Sequence, residues 1–138
     1  MASIYREAHI RARPEQVWDA LRDVGALHTR LAPGFVVDTQ MDGDARVVSF
    51  ANGMVVRELI VDVDDSTRRV AWAAVGGRIV HHNASAQVVA CEDHTCRFIW
   101  IADLLPNELA PTVTAMIEAG LAAVKKTHEA AAGEKNPP

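Results

Sequence analysis

The stretch Asn107-Glu108-Leu109-Ala110-Pro111-Thr112-Val113-Thr114-Ala115-Met116-Ile117-Glu118-Ala119-Gly120-Leu121-Ala122-Ala123-Val124 decides the architecture. Leu109, Val113, Met116, Ile117, Gly120, Leu121 and Val124 recur at spacings of three and four, which predicts a helix with one apolar stripe. Asn107 is suited to cap it, and Glu108 stands in the first turn, where the helix dipole favours a carboxylate. Pro111 also falls near the start, where its missing N–H is tolerated. A helix over residues 107–131 is expected, followed by a flexible tail at 133–138.

Working upstream, Pro106 closes a long region of short strands. The turn signals are Asp42-Gly43-Asp44, Asn52-Gly53, Asp64-Asp65-Ser66-Thr67 and Gly76-Gly77. They delimit strands at 35–41, 45–50, 54–63, 69–75, 79–91 and 96–105, rich in the valine, isoleucine and tryptophan that strands prefer. Asn52-Gly53 is a strong hairpin signal, because both residues tolerate positive φ. Turns at intervals of roughly ten residues argue for an antiparallel meander. Before it, residues 3–12 alternate as a strand. Pro14 opens a helix carrying Val17, Trp18, Leu21 and Val24, and a second short helix follows at 26–31. The order is β–α–α–β–β–β–β–β–β–α, an α+β arrangement of seven strands. The last helix is the only element long enough to cover the apolar face of the sheet.

The 138 residues suit one domain, expected over 1–132. Hydrophobic residues make up 49% and charged residues 23%, the balance of a globular protein rather than a disordered one. The net charge of −4 and the absence of a basic run disfavour nucleic acid and acidic membranes as partners. No apolar run reaches the ~20 residues of a membrane span, and the N-terminal residues lack the pattern of a secretory leader. A cytoplasmic protein without membrane insertion, monomeric or weakly dimeric, is expected. Cys91 and Cys96 bracket Glu92-Asp93-His94-Thr95; a disulfide or a metal site recruiting His94 is conceivable there. Two thiols flanking a turn is the favoured reading, since the spacing matches no zinc motif. Neither a metal nor a cofactor is expected.

Two segments carry a family resemblance. One is Ile10-Arg11-Ala12-Arg13-Pro14-Glu15-Gln16-Val17-Trp18-Asp19-Ala20-Leu21. The other is Val56-Arg57-Glu58-Leu59-Ile60-Val61-Asp62-Val63-Asp64-Asp65, followed by Arg68-Arg69-Val70-Ala71-Trp72, Gly76-Gly77 and Phe98-Ile99-Trp100. Together they resemble the START-like (SRPBCC, polyketide cyclase/dehydrase) superfamily, over residues 10 to about 127. The resemblance implies a helix-grip fold: a curved seven-stranded antiparallel sheet wrapped around the C-terminal helix, with a cavity between them. Members bind lipids, sterols, hormones and polyketides, and some catalyse cyclisation or dehydration. In the hormone-receptor branch, the positions matching Val56, Glu58, Trp72, Ala74, Ala84 and Ala86 line the pocket, and the loop matching 49–53 is a gate. Ala51-Asn52-Gly53 departs from that branch's Gly-Leu-Pro gate, and no basic pocket residue is evident after the first helix. Hormone sensing is therefore not carried over.

Strand parity gives an independent set of cavity candidates. With Ser85, Gln87, Thr95 and Arg97 facing water, the residues His82, Ala84, Ala86, Val88, Ala90, Cys96, Phe98, Trp100 and Ala102 face inward, as do Val70, Trp72 and Ala74 on their strand. Strand 54–63 is ambiguous. Its residues alone lean slightly towards Val55, Arg57, Leu59, Val61 and Val63 as the inner face, whereas the resemblance implies Met54, Val56, Glu58 and Ile60. The face of Met54, Val56, Glu58 and Ile60 is expected to line the cavity. From the helix, Val113, Met116, Ile117 and Gly120 would complete the wall. The many alanines, with Gly120, suggest unfilled volume.

Glu58, if inside, would need a ligand, a water or a cation such as Arg57 or His82, because a lone buried carboxylate is costly. It would anchor a polar group of a ligand or transfer protons, and Glu58 and His82 are the candidate catalytic residues. Adjacent His81 and His82 point to opposite faces, which argues against a shared metal. His28 is another candidate for the cavity mouth, although a surface position is the plainer reading. Trp72, Phe98 and Trp100 are placed to stack on a flat ligand. The leading expectation is a carrier or sensor of a small hydrophobic ligand. The alternatives are a polyketide or aromatic cyclase or dehydratase, and a co-chaperone-like interaction protein using Val61 and Val63 on the outer sheet face.

Overall fold

The computed structural model describes residues 2–135. Seven strands, β1 (Ala2–Ile10), β2 (Val36–Asp42), β3 (Ala45–Phe50), β4 (Val55–Asp64), β5 (Arg69–Val75), β6 (His81–Ala90) and β7 (Cys96–Leu105), form one antiparallel sheet. Their spatial order is β1-β7-β6-β5-β4-β3-β2. The chain therefore leaves one edge after β1, crosses to the other, and returns as a meander. The crossing is made by α1 (Pro14–Arg22), with Pro14 at its first turn, and by a short π-helical turn at Leu27–Leu31. After a 3₁₀ turn at Asn107–Leu109, α2 (Ala110–Lys135) closes the concave side. This is the helix-grip architecture expected from the sequence.

The long helix differs in detail from expectation. Residues 107–109 form a tighter turn with no side-chain cap, and the α-helix proper starts beside Pro111, whose missing N–H costs nothing at that position. At the other end α2 continues through Gly133 to Lys135, so residues 133–135 belong to the helix; positions 136–138 of the expected tail lie outside the described residues.

The inner face of α2 is the row Ile117, Leu121, Val124 and His128, all buried. Ion pairs and hydrogen bonds fix the helix to the β1 edge: Arg6 to Glu118 at 3.1 Å, and Lys125 Nζ to the His9 carbonyl at 2.6 Å. The Arg11 N–H also donates to Glu129 at 3.0 Å. Held on this side, α2 leaves the β2–β4 side of the concave face to smaller elements. Parity holds on β5–β7, where Val70, Trp72, Ala74, Ala84, Ala86, Val88, Cys96, Phe98 and Ala102 are all buried. Ala90 instead lies exposed at the end of β6, and Ser85 is buried on the outer face between Ala71 and Ile101.

Strand β4 settles its own ambiguity. Glu58 is only 8% exposed, whereas Val55, Leu59, Val61 and Val63 lie open on the other side. The pairing with β5 slips between Ile60 and Asp62, a bulge that leaves an extra residue beyond Ile60. Among the described residues no helix is long and apolar enough to cross a membrane.

Candidate ligand-binding site

Two interior voids lie between the sheet and the helices. The larger, about 110 Å³, is bounded by Val56, Glu58, Trp72, Ala74, His82, Trp100, Val113, Met116 and Ile117, all expected from the sequence. The smaller, about 50 Å³, is bounded by Ala86 and Phe98 on the sheet, with Leu27 and Leu31 from the π-helical turn. Phe35, Phe50, Glu58, Trp72 and Trp100 border both voids, so they form the partition between them.

Several expected wall residues do not reach either void: Ile60, Val70, Val88, Ala90 and Cys96 on the strands, together with Gly120 and Ala84. Gly120 faces the Trp100 ring: a Cβ there would sit 2.7 Å from Trp100 Cζ3 and 3.0 Å from Phe35 Cε2. Its missing side chain is thus already filled by aromatic rings. Ala84 is buried in the sheet between Trp72 and Ala102 but bounds neither void. Trp72 and Trp100 meet edge to face at 6.0 Å, and the two indoles occupy much of the volume that the alanines leave.

The polar centre of the site is an ion pair that the sequence reading missed. Arg46 on β3 stands directly across from Glu58 on β4. Its Nε donates to Glu58 Oε1 at 2.8 Å, and its Nη1 donates to the Val24 carbonyl at 3.2 Å. The guanidinium also lies 5.4 Å from the Trp72 ring centroid, a cation–π arrangement. Both side chains are withdrawn from water, at 3% and 11% exposure. Burial pushes the Glu58 carboxyl above the ordinary glutamate range, and Arg46 pulls it back only in part. The cations expected to serve Glu58 do not. Arg57 points outward and pairs with Asp42 at 2.7 Å, as the alternation of the strand requires. His82 borders the same void but spends its Nδ1 on the Ala74 N–H, at 2.9 Å. Burial and the neighbouring His81 hold the His82 pKa below its usual value.

Phe35 and Phe50 pack edge to face at 5.2 Å. With Met116 they also line an outer groove of about 1060 Å³, between the exposed side of α2 and the segments around Pro33-Gly34 and Ala51-Asn52. These three side chains separate the groove from the interior. His28 is not on either void's wall; its Nδ1 is buried without a hydrogen-bond partner. Cys91 and Cys96 are both free thiols, and no group of three metal-ligating side chains occurs among the described residues.

No curated protein matches the sequence. Solved structures do. The protein XoxI from Bacillus cereus superposes with a TM-score of 0.83 at 19% identity, covering 93% of this chain and 96% of that one. Norcoclaurine synthase from Thalictrum flavum gives 0.72 at 19%, covering 91% and 84%. The di-domain ARO/CYC BexL from the BE-7585A biosynthetic pathway gives 0.80 at 14%, covering 99% of this chain and 48% of that one. At such identities the likeness is one of fold. The sequence itself matches the family model described as polyketide cyclase / dehydrase and lipid transport over residues 1–129, and the chain belongs to that family.

Proposed function

We propose that the protein binds a small, mostly apolar ligand, aromatic, polyketide-like or lipidic, between the sheet and α2, as a carrier or sensor. The observation that supports this reading best is the wall of the larger void: aromatic and aliphatic side chains with two polar ones, His82 and Glu58, the latter paired with Arg46. Binding sites for small molecules have this composition, an apolar lining with a few fixed polar groups. The void of about 110 Å³ is smaller than the ~150 Å³ that accommodates a benzene molecule. A larger ligand therefore requires Phe35, Phe50 or Trp100 to swing aside. Parting of Phe35 and Phe50 joins the void to the outer groove and supplies a route of entry.

Calorimetric titration with benzene, indole and naphthalene tests this. Binding by the wild type, abolished by Ala74→Leu in a protein that still folds, is the expected result. No binding of any of the three contradicts it.

A second reading, cyclase or dehydratase chemistry, draws on one feature. Glu58 is a carboxyl whose proton affinity is raised by burial, at the edge of an apolar void, as a general acid or base requires. Under that reading Glu58→Gln lowers turnover of a supplied polyketide while leaving its binding nearly intact.

A further inference from the structure

The β5–β6 ladder runs from Arg69 opposite Gln87 to Trp72 opposite Ala84, and there it stops. The strands part towards the Gly76-Gly77 loop, and beyond the last pair the Ala74 N–H points to the β6 side without a carbonyl partner. The imidazole of His82 takes that carbonyl's place, with Ala74 N to His82 Nδ1 at 2.9 Å. A backbone N–H can only donate. Nδ1 must therefore present its lone pair, and the neutral ring must carry its proton on Nε2. Among the described residues Nε2 has no hydrogen-bond partner. The same ring borders the larger void together with Glu58, Trp72 and Trp100. Glu58 already accepts from Arg46. Three N–H-bearing side chains border this void, His82 and the indoles of Trp72 and Trp100, and of these only the His82 ring is fixed by a hydrogen bond to the backbone.

We infer that His82 is a fixed hydrogen-bond donor of the binding site, and that it makes the void prefer small aromatic ligands bearing an oxygen acceptor, a ketone or similar carbonyl, over isosteres without one. The inference rests on the reading that the void takes a ligand. It goes beyond it by assigning the tautomer, the residue and the ligand chemistry. The backbone, rather than another side chain, holds the ring, so the donor is in place before any ligand arrives. Asp103 raises the proton affinity of the ring, but burial and His81 outweigh it, which keeps the imidazole neutral and its tautomer defined.

Two measurements test this. Long-range ¹H–¹⁵N correlation spectra of the ¹⁵N-labelled protein at pH 7.5 report the tautomer of each histidine. His82 is expected in the Nε2–H form, and an Nδ1–H pattern overturns the assignment. The second measurement uses acetophenone and α-methylstyrene, which differ by an oxygen in place of a CH₂ group. The affinity ratio of acetophenone to α-methylstyrene should fall about fivefold in His82→Phe, the worth of one ordinary hydrogen bond. His82→Gln offers an amide oxygen to Ala74 and an N–H to the ligand, and should hold the ratio within about twofold of the wild type. It also serves if His82→Phe does not fold, with a fivefold fall in His82→Leu as the comparison. An unchanged ratio with both probes bound overturns the donor role and leaves the cavity reading standing. Failure of both probes to bind the wild type overturns the cavity reading, and the donor role with it.

Discussion

Arg46 and Glu58 face each other across β3 and β4 and meet at 2.8 Å on the concave side of the sheet, beneath the Trp72 ring. Among the described residues no other ion pair lies so far from water. The pair carries the first prediction. Arg46→Met leaves a buried carboxyl without its cation, and should destabilise the protein by about 3 kcal/mol at pH 7, measured by urea unfolding. The missing cation also raises the folded-state pKa of Glu58 further. The folded protein then holds its proton more tightly than the unfolded chain, so the loss should shrink as pH falls towards the ordinary value of 4.5. The double variant Arg46→Met/Glu58→Leu, which removes both charges, should recover most of the loss; no recovery would mean that the pair is not the source of the effect.

Gly120 supplies a prediction opposite in sign to helix propensity. Alanine in a helix interior is normally better than glycine by about 1 kcal/mol. Here the added methyl would meet the Trp100 ring at 2.7 Å. Gly120→Ala should therefore destabilise by about 1 kcal/mol or more, as overpacked cores do, and should perturb the Trp100 indole resonance. A gain in thermal stability would show that the ring is not seated against Gly120.

His82 makes stability depend on pH in the opposite direction from Glu58. Its folded-state pKa lies below 6.5, so the unfolded chain takes up the proton first. Its contribution is complete above that value and is lost as pH falls through and below it. The wild type should lose stability relative to His82→Gln between pH 7 and pH 5; parallel curves would mean that the imidazole is not held neutral by its surroundings.

The thiols should differ sharply in reactivity. Cys96 is fully buried in β7, and burial pushes its thiol up to about 11, whereas Cys91 is half-buried at the strand end. Since the thiolate is the nucleophile, a chromogenic disulfide reagent at pH 8 should modify Cys91 alone in the folded protein and Cys96 only after unfolding. Rapid modification of two thiols per chain without denaturant would contradict the packing around β7.

How far the sequence could be read depends on where polar residues fall. On β5–β7 one face alternates with Ser85, Gln87, Asn83 and Arg97, so period-two reading assigned the inner face correctly. On β4 both faces are apolar, Val56 and Ile60 against Val55, Leu59, Val61 and Val63. Periodicity is uninformative there, and the bulge beyond Ile60 breaks it further. Arg46 was overlooked because an arginine between Ala45 and Val47 reads as a solvent-facing position. A signal was present nonetheless. A hairpin centred on Asn52 sets Arg46 opposite Glu58, as the ladder confirms. The alanines and Gly120 read as empty space, but part of that space holds the Trp72 and Trp100 rings, whose reach is invisible in a pattern of small residues. Phe35 and Phe50 lie at element ends, where neither period applies, and their role as the partition emerges only in three dimensions.

The proposed apolar ligand lodges in the void that Trp72 and Trp100 border, between the sheet and α2. The three tryptophans of the chain test this directly, because Trp18 lies elsewhere, its indole N–H bound to Asp65 at 3.0 Å. Toluene titrated into the ¹⁵N-labelled protein should shift the indole N–H signals of Trp72 and Trp100 saturably while that of Trp18 stays fixed. If at toluene saturation all three signals are unmoved, or Trp18 moves as far as the other two, the interior void is not a binding site.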